Sequence, residues 1–330
     1  MFGVGFSNWC ISFESSSSLV QADSPKAAIH LILCCWPNLG RISFDYVLND
    51  SGVLDGFVPR HNSQGMRKLT AQYVFQRIYD MAALVEGCLE NHESLGELDW
   101  DNPDIVATVT TFSKATILHH YIYAMIAVEH RYYYRKHADL FEEAPEMIIE
   151  VEDLLRAYDV SFLPYAQFEP PIPIDEATTR EDYPFHRWFL SQDAAFELLW
   201  DKMTDEVFHL LFGNRSFLRK FNIGVANWIR NNHVQLPPEF LNDNGTIKRS
   251  FMPKWVRDAV FFRDHGRCVF CHVDLSGLLS LDQLDQFDHI VPLAAGGVND
   301  PTNIQLVCEA CNVTKGDRHS ETGLRYPSWW

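Results

Sequence analysis

The chain has 330 residues, 47% apolar, 22% charged and 13% aromatic, a globular composition with room for two domains that excludes wholesale disorder. The longest apolar run near the N-terminus, at 27–36, is about half the ~20 residues of a membrane span. With no basic segment ahead of an apolar one at the start, a cytoplasmic protein with no membrane partner is expected. The formal net charge of −17 excludes a surface that attracts phosphate throughout, because nucleic-acid affinity rests on Lys and Arg.

The acid is unevenly spread. Residues 251–330 hold seven basic against ten acidic residues, a net of −3, which leaves −14 on the first 250. A local basic stretch, Lys248, Arg249, Lys254, Arg257, Arg263 and Arg267, is opposed only by Asp258 and Asp264. Solubility accounts for the acidic excess most simply. The functional alternative is that the N-terminal region recruits or restrains whatever the C-terminal part does.

In chain order, short apolar segments at 29–36 and 42–47, broken by Asn49-Asp50-Ser51-Gly52, suggest strands. From Gln64 to Gly87 the mostly three- and four-residue spacing of Leu69, Tyr73, Gln76, Ile78, Met81, Leu84 and Val85 predicts an amphipathic helix. Asn102-Pro103-Asp104 supplies an N-cap, a helix-compatible proline and an early acid. Residues 105–137 then lack glycine and proline and read as one or two helices, with another at 145–158. Five prolines between 163 and 184 predict an extended connector, since their rings cannot sit inside helices. Helical spacing returns at 185–212 and again at 216–228. Pro237-Pro238 and Asp243-Asn244-Gly245 mark a candidate boundary. His119, Tyr123 and His130 fall near one helical face; an aromatic-rich bundle helix explains them better than a second pocket.

Of eight cysteines, Cys10, Cys34, Cys35 and Cys88 are scattered among apolar neighbours and read as reduced, buried residues. Cys268-x-x-Cys271 and Cys308-x-x-Cys311 are paired, and each such turn can present two sulfurs to one zinc ion. A redox dithiol is the weaker alternative. Between the pairs stand Asp288-His289, Pro292, Gly296-Gly297 and Asn303; Asn312 and Lys315 follow the last cysteine. An imidazole with an ordinary pKa near ~6.5 can accept a proton at neutral pH, and a carboxylate is a hard ligand suited to Mg²⁺.

This order and spacing, over about residues 250–320, closely resembles the HNH nucleases with a four-cysteine zinc site. The resemblance implies a ββα-metal fold that hydrolyses DNA with one histidine and one divalent cation. It would make His289 the general base and Asp288 and Asn312 the ligands of a catalytic Mg²⁺ or Mn²⁺. Asn303 would hold the loop that orients the histidine. Cys268, Cys271, Cys308 and Cys311 would bind structural Zn²⁺, leaving His272 a bystander. Lys315, Arg267 and Arg318 are candidates for phosphate contact, with a solvated role nearly as good for each. Asp282 and Asp285, ahead of the first strand, depart from what a phosphate-binding approach would favour.

The expected fold class is therefore α+β, with a mainly helical accessory region at 1–244 and a ββα-metal nuclease domain at 245–330. Nothing in residues 1–244 resembles a known family. By analogy, nucleases of this type often carry a separate sensing region, which suggests a restriction or phage-defence effector. DNA is the expected partner; the acidic region invites a protein partner, and double-strand scission would call for a homodimer. A non-catalytic zinc docking module and a ribonuclease are the rival readings.

Overall fold

Two twenty-residue helices, α3 (Ile117–Lys136) and α7 (Asp193–Phe212), pack along each other at the centre of the protein. The computed structural model describes residues 44–48, 54–59, 77–90, 92–168, 179–232, 234–277, 285–317 and 319–326. Around the central pair lie α1 (Ile78–Glu90), α2 (Pro103–Thr110), α4 (Ala138–Glu143), α5 (Pro145–Ala157), α6 (Pro184–Ser191) and α8 (Arg215–Asn231). Near the N-terminus, β1 (Phe44–Leu48) and β2 (Leu54–Pro59) pair antiparallel; the expected turn at 49–52 lies outside the described residues. The apolar run at 29–36, the helical pattern at 64–76, Cys10, Cys34, Cys35 and the central part of the proline connector lie outside the described residues. No helix among the described residues is long and apolar enough to cross a membrane.

Local chemistry accounts for the helix ends. The Asn102 side chain accepts from Asp104 N at 2.9 Å with Pro103 in the first turn of α2, as the sequence predicts. The stretch 105–137 divides because Thr116 caps α3, its hydroxyl accepting from His119 N while His119 Nδ1 accepts from Thr116 N. Histidine thus takes the place of the usual Glu or Gln in a capping box. The predicted single helix at 185–212 is two, α6 and α7. Gln192 leaves helical geometry (φ −103°, ψ 23°), and the break brings Phe189 and Phe196 to 4.7 Å between ring centroids.

The main core is aromatic. Trp188, Trp200, Phe185, Phe196, Phe217 and Phe221 are fully buried, each contributing on the order of 2–3 kcal/mol by leaving water. The described start of the connector lies against this body: Trp188 Nε1 donates to Leu163 O at 2.7 Å, and Tyr165 N donates to Glu152. His130 accepts from Trp200 Nε1 at 2.7 Å, and His119 stacks on Phe208 at 3.7 Å. Both histidines serve packing between α3 and α7.

A second, smaller core lies in the C-terminal part. It contains Val256 and Val260 of α9 (Lys254–Arg263), Val269, Leu275, and Ile304, Leu306 and Val307 of β4 (Ile304–Cys308). β3 (Asp285–His289) pairs antiparallel with β4, and α10 (Glu309–Lys315) packs on both strands. Ile247, Ile290 and Val298 bury themselves in the helical core instead, so buried contacts cross the proposed 244/245 boundary.

Candidate active site and metal centre

The metal centre begins with a knuckle at 268–273. Cys268 N bonds to Val273 O and His272 N to Cys268 O, with His272 itself in the left-handed region (φ 61°). This reversal brings Cys268 and Cys271 together, and Val269 N→Leu306 O at 3.0 Å fastens the knuckle to β4. Cys308 ends β4 and Cys311 lies in the first turn of α10. All four sulfurs fall within 4.8 Å of one another. Cys271 Sγ and Cys308 Sγ are 3.7 Å apart, close to the ~3.8 Å edge of a tetrahedron with ~2.3 Å Zn–S bonds. Burial opposes ionisation of Cys268, yet backbone amides of Cys271, Cys308 and Phe270 bring its thiol below the ordinary value. The cluster is compatible with structural zinc.

His289 is the last residue of β3, where the chain leaves the strand for Pro292 and the turn at Gly296 (φ 87°). It is 2% exposed, and among the described residues neither ring nitrogen makes a hydrogen bond of ordinary geometry. Burial, then the Arg249 cation, push its pKa down to about 4, against opposing influences from Asp288 and the Asn299 amide. The imidazole is therefore neutral at physiological pH and carries an acceptor lone pair. Burying an unpartnered polar group costs about 1–3 kcal/mol, and such exceptions ask for a functional explanation.

Asp288 points to the other side of the strand, toward Gln305 across the sheet and Lys315 on α10. Gln305 Nε2 and Lys315 Nζ both donate to its Oδ2, at 3.0 and 2.8 Å. Lys315 is buried, and its ammonium also donates to His289 O at 2.8 Å. Asn312 lies one turn earlier on α10 and donates its amide to Gln286 Oε1. Asp288 and Asn312 thus lie on β3 and α10, which pack together, and each bears a hard oxygen donor. Residues 268–325 match the HNH endonuclease family.

No curated protein and no solved structure matches the chain. The HNH segment holds every candidate residue except Arg267, which directly precedes it. The Arg267 guanidinium donates to His272 O at 3.1 Å and so braces the cysteine knuckle. Arg318 lies outside the described residues. Arg263, counted in the basic stretch, is buried: it pairs with Asp264 at 2.8 Å, donates to Ile304 O and lies over the Phe212 ring.

Asn303 is fully buried. Its side chain accepts from Val291 N at 2.8 Å and donates to Val291 O and Val298 O, both at 3.0 Å. The backbone immediately after His289 is thereby held. Gly297 makes the close approach feasible, because a Cβ there would fall 1.9 Å from Val291 O.

The HNH segment has further supports that the sequence reading missed. Asn299 donates to Thr110 O at 2.9 Å and Lys248 O at 2.7 Å. Asp300 accepts from Ile117 N at 2.9 Å, which places a carboxylate at the N-terminus of α3, and from Thr302 N and Oγ1. Thr302 also meets Asn222 of α8. Asn299-Asp300-Pro301 looks like an ordinary turn in sequence. For Gln305 there was a usable signal, since it is a polar residue inside the apolar strand 304–308.

Proposed function

We propose that this protein is a metal-dependent endonuclease that hydrolyses DNA phosphodiester bonds. The observation that carries this reading is the buried, neutral His289 imidazole at the end of β3, one residue after Asp288 in the chain, inside the segment that matches the HNH family. His289 accepts the proton of the attacking water at a ring nitrogen. Asn303 keeps that ring in place through the backbone of Val291. Asp288 and Asn312 would hold Mg²⁺ or Mn²⁺, a cation that would supply positive charge against the charge developing on the phosphate and the leaving oxygen. Lys315 orients Asp288 and fixes the His289 carbonyl, while Zn²⁺ on the four thiols ties β4 and α10 to the knuckle. A role in restriction or phage defence is the setting we attach to this activity, with the helical region as the targeting or regulating part.

The test is plasmid nicking by the full chain, with and without Mg²⁺, beside His289→Ala and a matched RNA duplex. Mg²⁺-dependent nicking lost in the variant supports the reading. Zinc-loaded protein that binds DNA but never cuts it would instead indicate a docking module, and preference for the RNA would make it a ribonuclease.

A further inference from the structure

Residues 248–253 run past the candidate active site on their way into α9. Asn299 sets that course, donating to Lys248 O at 2.7 Å and accepting from Ser250 N at 3.4 Å. Val298, the neighbour of Asn299, is bonded through its carbonyl to Asn303, which also holds Val291 two residues after His289, so this segment lies near the proposed base. Next along it, Phe251 is 83% exposed, more than any other large apolar side chain among the described residues.

A lone exposed phenylalanine is ordinary on protein surfaces, but the charges around this one are not. Arg249 and Arg257 are both exposed, in a chain of net charge −17 where carboxylates are plentiful. Lys254, one helical turn before Arg257, is exposed and held by Asp258 at 2.6 Å. An exposed ring on a segment that also carries exposed guanidiniums combines the two features that single-stranded nucleic acid needs: a ring on which a base stacks, and cations for the flanking phosphates.

Building on the nuclease reading, we infer that Phe251 stacks on an unpaired base of the strand being cut, while Arg249 and Arg257 hold its neighbouring phosphates. Inside a perfect duplex both faces of each base are covered by its neighbours. Only an unpaired or extruded nucleotide offers an open π-face to the ring. The substrate class is thus DNA with unpaired nucleotides near the scissile bond: single strands, bubbles or distorted duplexes.

Binding of the zinc-loaded full chain, without added divalent cation, to labelled single-stranded, bubble and perfectly paired DNA tests this apart from cleavage. Phe251→Ala and Phe251→Leu are expected to weaken single-strand and bubble binding by about 10-fold, the usual scale of one base–aromatic stack. Phe251→Trp retains that affinity, and duplex binding is unchanged in all three. Arg249→Gln lowers affinity for every DNA and flattens its salt dependence by about one phosphate contact. The inference is overturned if Phe251→Ala binds all three DNAs like the parent, or loses affinity equally for all. It is overturned as well if the only effect of the substitution is to dissociate a dimer in sedimentation, which would make Phe251 a self-association contact. Failure of the parent to nick plasmid in Mg²⁺, with the Phe251-dependent binding intact, would overturn the nuclease reading alone.

Discussion

His289 and Lys315 are both buried at the end of β3, yet their polar atoms differ. Among the described residues the His289 ring nitrogens make no hydrogen bond of ordinary geometry, whereas the Lys315 ammonium has two acceptors, Asp288 and the His289 carbonyl. Removing the imidazole should cost chemistry and little stability. His289→Ala is expected to lose at least about 100-fold in cleavage rate while keeping its zinc and its melting temperature, read by plasmid nicking, metal analysis and calorimetry. Lys315 should behave in the opposite way. Lys315→Ala leaves Asp288 without its cation, and stability to urea is expected to fall by about 2–4 kcal/mol. A variant with parental stability but weaker DNA binding would make Lys315 a phosphate contact.

At the scale of elements, two junctions hold the site together. In the cysteine knuckle, Cys268→Ser or Cys308→Ser removes one of four converging sulfurs. The expected outcome is loss of bound zinc and of order in 268–325, while Cys88→Ser, on α1, leaves metal content unchanged. The other junction is the corner between α2 and α3, where Asp300 accepts from Ile117 N. Burial pushes the Asp300 carboxyl up from 3.8 to about 6, with its Thr302 and Ile117 donors opposing. The folded protein therefore keeps a proton that the unfolded chain has already lost. Its contribution to stability is greatest below pH about 4, declines as pH rises to about 6, and is level above. Unfolding in urea from pH 4 to 7 should show the parent losing on the order of 2 kcal/mol relative to Asp300→Asn over that window. A constant difference between the two would contradict the assignment.

For the whole molecule, the proposed boundary at 244/245 separates residues that bury together. Ile247, Ile290 and Val298 lie in the helical core, and Phe112 packs on the C-terminal one. Arg219 donates to Ser320 O, Arg230 donates to Ala295 O and Arg215 lies over the Tyr326 ring. Restraint of the nuclease by a detachable acidic region would need a nuclease that folds alone. The shared core favours a single cooperative unit, with the helical region bracing the loop after His289. A fragment of residues 245–330 is accordingly expected to unfold without a cooperative transition and to bind hydrophobic dyes. The full chain should show one calorimetric transition. A sharply melting fragment that binds zinc would restore the picture of two independent domains.

What the sequence determined by itself was chemistry tied to residue type and short spacing. Two Cys-x-x-Cys turns, an Asp-His at a strand end and an asparagine on each side of the second strand are legible because coordination and proton transfer demand particular side chains at fixed intervals. Helix starts at Asn102 and Pro145 were legible for the same local reason. Tertiary structure alone decided that His289 is buried without an ordinary hydrogen bond, that Lys315 turns inward to Asp288, and that Arg263 leaves the basic surface for Phe212. It also decided that the loop at 298–303 docks on the α2–α3 corner, through hydrogen bonds spanning 183 and 189 residues. A pattern over ten or twenty residues records which face of an element is apolar, and leaves open which distant backbone group will lie against it.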